Sequence, residues 1–140
     1  MRHTQSGLAI LDFPTMGGSY WPLFNQETLA RINEMRFDLN LPFVGLSQVA
    51  IHFSHRFLAF LITLLAAFIT FKIMKENVHD MKRSILFINS LLIGQIVLGA
   101  ATVLTFKNPK ITSLHVAAGA ALLGACFLTT LQLFPLSDKQ

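Results

Sequence analysis

Residues 49–71 read VAIHFSHRFLAFLITLLAAFITF, a mostly apolar stretch that ends at Lys72. Two further apolar stretches follow, from Ser84 to Phe106 and from Ile111 to Phe134. Each exceeds the roughly 20 apolar residues that a helix needs to cross the hydrocarbon core of a bilayer. Soluble helices of this length normally carry a polar stripe, and the second and third stretches show almost none. The sequence therefore predicts an all-α transmembrane bundle of three spanning helices.

The overall composition supports a membrane protein. Of the 140 residues, 53% are hydrophobic and 13% are charged, whereas soluble domains carry about 25% charged residues. The net charge is +4, but the basic residues stand at the ends of the apolar stretches, where they act as topology signals. We therefore expect a lipid bilayer as partner and no nucleic acid. The lone Cys126 excludes an intrachain disulfide and a cysteine zinc cluster.

The charge distribution divides the chain into three parts. The connection at residues 72–83, KIMKENVHDMKR, is basic and is predicted to face the cytoplasm. Residues 1–48 then form an extracytoplasmic segment, residues 49–134 the transmembrane domain, and residues 135–140 a cytoplasmic tail. This predicts a multi-pass integral protein of a bacterial cytoplasmic membrane. Nothing in residues 1–48 resembles a signal peptide.

The extracytoplasmic segment permits two interpretations. It is rich in glycine and proline, which interrupt helices, and in aromatic residues, namely Phe13, Tyr20, Trp21 and Phe24. It is either an interfacial loop with an aromatic belt or a lid over a bound ligand. Gln26 to Asp38 is predicted to form a short helix on the membrane surface, with an apolar side made by Leu29, Ile32 and Phe37.

Ionisable residues inside membrane spans tend to mark functional sites. His52 and His55 share one face of the first span, and His115 lies one turn inside the third. His55 and His115 are about 9 and 6 Å inside spans entered from the same side, so they could bind one haem iron from opposite faces. Zinc is the alternative, but it requires three or four ligands.

Three further features surround these histidines, and each has a structural alternative. Arg56 is predicted to pair with a haem propionate or to extend to the lipid headgroups. Gln95 is a lone amide in the second span, suited to an interhelical hydrogen bond. The small residues between Ala117 and Ala125 give the third span either close helix packing or space for a flat macrocycle.

Four motifs of this chain resemble the haem A synthase family, in the same order. They are RHTQSGLAILDFPTMGG at residues 2–18, HFSHRFLA at 52–59, QIVLGAATVLT at 95–105 and SLHVAAGA at 113–120. The resemblance implies a protein with two four-helix halves, one binding haem b and the other haem O. Such enzymes oxidise a haem methyl group to a formyl group, giving haem A. The resemblance assigns His55 and His115 as axial iron ligands. It implies that Arg56, His52 and Gln95 are further haem-binding residues.

The chain departs from the family pattern at three points. It has three spans rather than four, so it resembles one half lacking its first helix. His52 stands where the substrate half typically carries a glutamate, and the loop cysteines that some family members carry would fall near Ile10 and Met16. The resemblance thus implies a haem b-binding half or a fragment of an oxidoreductase, whose catalytic residues stay unassigned.

The sequence leaves two other functions open. One is a b-type cytochrome that transfers electrons without chemistry of its own, and the other is a membrane assembly protein with incidental histidines. If the chain is a haem A synthase-like protein, its expected partners are a second half-unit or a second copy of the chain, together with haem O synthase or a terminal oxidase.

Overall fold

The computed structural model describes residues 8–21, 23–76 and 79–133. This part of the chain contains four helices, which are α1 (Gln26–Asp38), α2 (Leu46–Lys75), α3 (His79–Leu104) and α4 (Pro109–Leu133). The last three are long and apolar enough to cross a membrane. The predicted all-α bundle with three spans is therefore confirmed, although the predicted end of the third span at Phe134 lies outside the described residues.

The ends of the spanning helices follow local backbone chemistry. α2 begins at Leu46, three residues before the predicted start, because Gln48 Oε1 accepts the Gly45 N–H at 2.9 Å and completes the first turn. α3 ends at Leu104, two residues before the predicted end. There Phe106 and Lys107 have φ of 51° and 58°, and this left-handed backbone turns the chain towards α4.

α3 is the central helix of the bundle. It packs closely along α4 and less extensively against α2, where Asn89 Nδ2 donates to Thr70 Oγ1 at 2.7 Å. Short connections make each neighbouring pair antiparallel, so α2 and α4 run in the same direction and begin on the same side. The most apolar window of α4 has no buried residue, which leaves its outer face for lipid.

The described residues between 8 and 45 form a small folded unit over the start of α2, which we call the cap. Its core contains Ala9, Ile10, Ile32 and Val44, packed against Val49 of α2. The predicted surface helix has the predicted bounds, and its N-terminus is capped by Asn25 Oδ1, which accepts the Thr28 N–H at 2.9 Å. A packed unit of this kind fixes the position of the loop relative to the first span.

The prediction that Phe37 belongs to the buried apolar side of α1 is wrong. Ile32 is fully buried and Leu29 packs against the core, but Phe37 is 69% exposed. Its place on the buried side is taken by Arg36, which is 1% exposed. The guanidinium is tolerated there because backbone carbonyls of the cap accept its hydrogen bonds.

Candidate functional site

His52 connects α2 to the cap. It is 5% exposed, and its Nδ1 accepts the backbone N–H of Ile10 at 3.1 Å. A neutral imidazole that accepts at Nδ1 carries its proton on Nε2. One ring nitrogen of His52 is therefore committed to the cap, and its predicted contact with a cofactor stays a prediction.

Arg56 lies one turn further along the same face of α2. Its Nη1 donates to the carbonyl oxygens of Asp12 and Thr15 at 3.0 and 3.1 Å, and its Nη2 donates to that of Ile10 at 3.3 Å. Bonds from a charged donor are stronger than those between neutral groups. Arg56 and His52 together hold residues 10–15 against α2, while the predicted propionate contact of Arg56 stays a prediction.

A tight turn shapes the loop that Arg56 binds. The Asp12 carboxylate accepts the backbone N–H groups of Gly17 and Gly18 at 2.9 and 3.0 Å, and both glycines have positive φ. Burial acts to raise the pKa of Asp12, but hydrogen bonds from these amides and from Thr15 outweigh it, so the pKa is lowered from its usual value. The carboxylate is ionised at neutral pH and keeps the turn formed.

The aromatic residues of the cap pack on the first turns of α2. Trp21 makes edge-to-face contacts with Phe53 and Phe57, with ring centroids 5.4 and 6.1 Å apart, and Phe24 contacts Phe53 at 5.2 Å. Trp21 is nevertheless 63% exposed. The loop thus covers part of α2 and also presents an aromatic surface, so the lid and the aromatic belt both stay predictions.

His55 lies between His52 and Arg56 on α2, but its surroundings differ from theirs. It is exposed, and no hydrogen bond engages its ring among the described residues. Counted from the observed helix starts at Leu46 and Pro109, His55 lies about 14 Å along α2 and His115 about 9 Å along α4. The two histidines therefore stand in the first half of two helices that run in the same direction.

The ring of His115 packs against the backbone of α3. A Cβ at Gly99 would come 3.1 Å from His115 Cε1, and a Cβ at Gly119 would come 2.8 Å from Gln95 Nε2. Each polar side chain thus faces a glycine of the other helix. We call the four residues Gln95, Gly99, His115 and Gly119 the α3–α4 seam. His115 Nδ1 and Gln95 Oε1 are buried there without a hydrogen-bond partner.

The described part of the chain contains no cluster of three His, Cys, Asp or Glu side chains placed to hold a metal ion. The zinc alternative requires at least three such ligands, so these residues do not support it. Axial ligation of a haem requires only two imidazoles, so haem binding by His55 and His115 stays a prediction.

Sequence reasoning missed the polar residues that hold the cap together. Arg36 donates through Nε to the Pro42 carbonyl at 2.7 Å and through Nη1 to the Leu8 carbonyl. Asn33 pairs with the backbone of Val44 in both directions, at 2.9 and 3.0 Å. The spacing of Leu29, Ile32 and Arg36 on one side of α1 was an available signal for a buried cation.

The fold and the site define a class of protein: a multi-span membrane protein that presents histidines from two parallel helices beside a folded cap. Residues 1–127 match the family model COX15-CtaA, cytochrome oxidase assembly protein, and the chain belongs to this family. Its role is therefore in cytochrome oxidase assembly, through haem A synthesis, with haem-related cofactors. No curated protein and no solved structure matches the chain.

The close contact at Gly99 leads to a prediction about the α3–α4 seam. Gly99→Ala should lower the thermal stability of the detergent-solubilised chain, because the new Cβ would force the His115 ring to move and such overpacking costs about 1–3 kcal/mol. Gly94→Ala is the matched control, since a Cβ at Gly94 meets nothing within 4 Å. Both variants gain the same helix propensity, so equal melting temperatures would contradict the contact.

Proposed function

We propose that this chain is a haem-binding unit of the haem A synthesis machinery, with His55 and His115 as the axial ligands of a b-type haem. The observation that carries the proposal is the setting of His115. Its ring lies with Cε1 towards Gly99 of α3, and its Nδ1 is buried without a partner, so we assign Nε2 as the nitrogen that binds iron. An imidazole held in this way is prepared to bind iron through Nε2.

The residues present fit such a group. His55 is exposed on α2, which runs in the same direction as α4, so two imidazoles are offered from helices that begin on one side. Small residues of α4 near His115, including Ala117 and Ala120, are exposed, and they leave lateral space for a flat ring. A haem held by two histidines would supply a one-electron redox couple whose potential the surrounding protein sets.

The residues at the start of α2 would position this group rather than react with it. Arg56 carries five N–H donors, of which the cap carbonyls use only part, so a haem propionate near this end could take another. His52 keeps residue Ile10 in place above α2. Gln95 of α3 packs against Gly119, one turn along α4 from His115, and would support the His115 ring.

An electron-transfer module without chemistry of its own is the second candidate. His52 stands where the substrate half of the family typically carries a glutamate. It accepts the backbone N–H of Ile10, near which family cysteines would fall. The nearest carboxylate along the cap, Asp12, is engaged by Gly17 and Gly18. These contacts favour a haem b half over a substrate half.

The partners follow from the same arrangement. The outer faces of α2 and α4 are apolar and exposed, and they suit lipid as well as the second half-unit or second copy expected from the family. Haem O synthase and a terminal oxidase are the further partners that we propose for a complete assembly in the bacterial cytoplasmic membrane.

The test is the optical spectrum of the full chain purified from membranes, together with extraction and identification of its haem. We expect one haem b per chain with a six-coordinate, low-spin spectrum. A preparation that folds but binds no stoichiometric haem would contradict the proposal. Formation of haem A in cells that supply haem O and express the chain with its partner half would favour the enzyme over the electron-transfer module.

A further inference from the structure

The α3–α4 seam contains two buried polar atoms that lack partners. These are Nδ1 of His115 and Oε1 of Gln95. Buried polar atoms in folded proteins are nearly always hydrogen-bonded, so two exceptions at one helix interface require an explanation. One atom is a nitrogen that can carry a proton and donate it in a hydrogen bond, and the other is an oxygen that can accept a hydrogen bond.

The register of the two helices places these atoms on adjacent turns of one interface. Gln95 faces Gly119, and His115 faces Gly99. Gln95 and Gly99 are separated by one turn of α3, as are His115 and Gly119 in α4. Each polar side chain packs against a glycine rather than a larger residue, and the two lie one turn apart on the same seam.

We propose that Gln95 is a positioning residue for His115, its carboxamide oxygen accepting the Nδ1–H of His115 when Nε2 binds haem iron. The inference rests on the proposed function. A neutral imidazole that binds a metal through Nε2 must carry its proton on Nδ1, and metal-binding histidines almost always donate this proton to an oxygen. Rotation of the Gln95 carboxamide satisfies both buried atoms in one step and fixes the orientation of the ring.

The test compares the reduction potential and haem affinity of the full haem-loaded chain with those of two variants. Gln95→Leu keeps the side-chain bulk but removes the acceptor, so the potential should rise and haem affinity should fall about 10-fold. Gln95→Glu restores an acceptor that is stronger when ionised, so the potential should fall below the wild-type value. Asn89→Leu is the matched control, because it removes an amide from the α2 side of α3.

A role confined to packing would lower stability in Gln95→Leu without moving the potential. Equal potentials in wild type, Gln95→Leu and Gln95→Glu would therefore overturn the inference, even where haem is bound normally. Should Gln95→Leu fail to fold, the direction of the shift in Gln95→Glu decides the question. A wild-type chain without haem would instead overturn the proposed function itself, so the two failures are distinguishable.

Discussion

Replacing His115 or His55 by alanine should remove the six-coordinate, low-spin haem spectrum of the purified chain. Loss of one axial imidazole leaves iron with an open coordination position, so the remaining haem should become five-coordinate and high-spin. Residues that only support a metal ligand are worth about 10–100-fold in affinity, and we expect removal of a ligand itself to cost on the order of 100-fold or more. Haem titration followed by optical and electron paramagnetic resonance spectra measures both effects.

The two substitutions should differ in their effect on the protein itself. His55 is exposed, so His55→Ala should leave the thermal stability of the haem-free chain unchanged. His115 packs on Gly99, so His115→Ala should lower that stability modestly. Added imidazole should restore the low-spin spectrum in either variant by occupying the vacated position.

A histidine outside the site provides the control for these variants. His79 begins α3, at the opposite end of α2 from His55, and His79→Ala should keep the wild-type spectrum. Unchanged spectra in both His55→Ala and His115→Ala would contradict the assignment of the ligands. Loss of the spectrum in His79→Ala as well would indicate a general failure of folding.

The spanning helices were predictable because membrane insertion depends on length and hydrophobicity, which are properties of a sequence window. The bounds of α1 were also predictable, since Asn25 is a favoured N-cap residue. The start of α2 and the end of α3 were harder to predict. The first depends on a side chain that reaches back to Gly45, and the second on left-handed backbone at Phe106 and Lys107.

The partners of the charged residues could not be predicted. Arg56 and Arg36 donate to backbone carbonyls of the cap, and every residue carries such a carbonyl, so composition does not indicate which one is near. Likewise, His52 and His55 look equivalent as a pair on one helix face, but the cap covers only His52. The difference between an anchor and a candidate ligand arises from tertiary packing.

The second large effect is expected at Arg36, the buried cation of the cap. Burial lowers the pKa of Arg36, yet a guanidinium remains protonated in proteins, so the cap contains a full charge held by the Leu8 and Pro42 carbonyls. Hydrogen bonds to charged groups contribute about 1.5–3 kcal/mol each. Arg36→Met removes both bonds and leaves the buried Leu8 carbonyl unpaired, so the cap should lose about 3 kcal/mol or more of local stability.

Hydrogen exchange can measure this loss directly. The amides of Ile10 and Val44 are donors inside the cap, and their exchange should accelerate by about 100-fold for 3 kcal/mol, while amides in the middle of α3 keep the wild-type rate. Arg31→Met is the matched control on the same helix, because Arg31 is exposed and, among the described residues, pairs with Glu27 alone, a kind of contact worth about 0–1 kcal/mol. Arg36 differs from Arg31 by its bonds to the Leu8 and Pro42 carbonyls. Equal exchange rates of the Ile10 amide in Arg36→Met and Arg31→Met would therefore mean that Arg36 does not stabilise the cap.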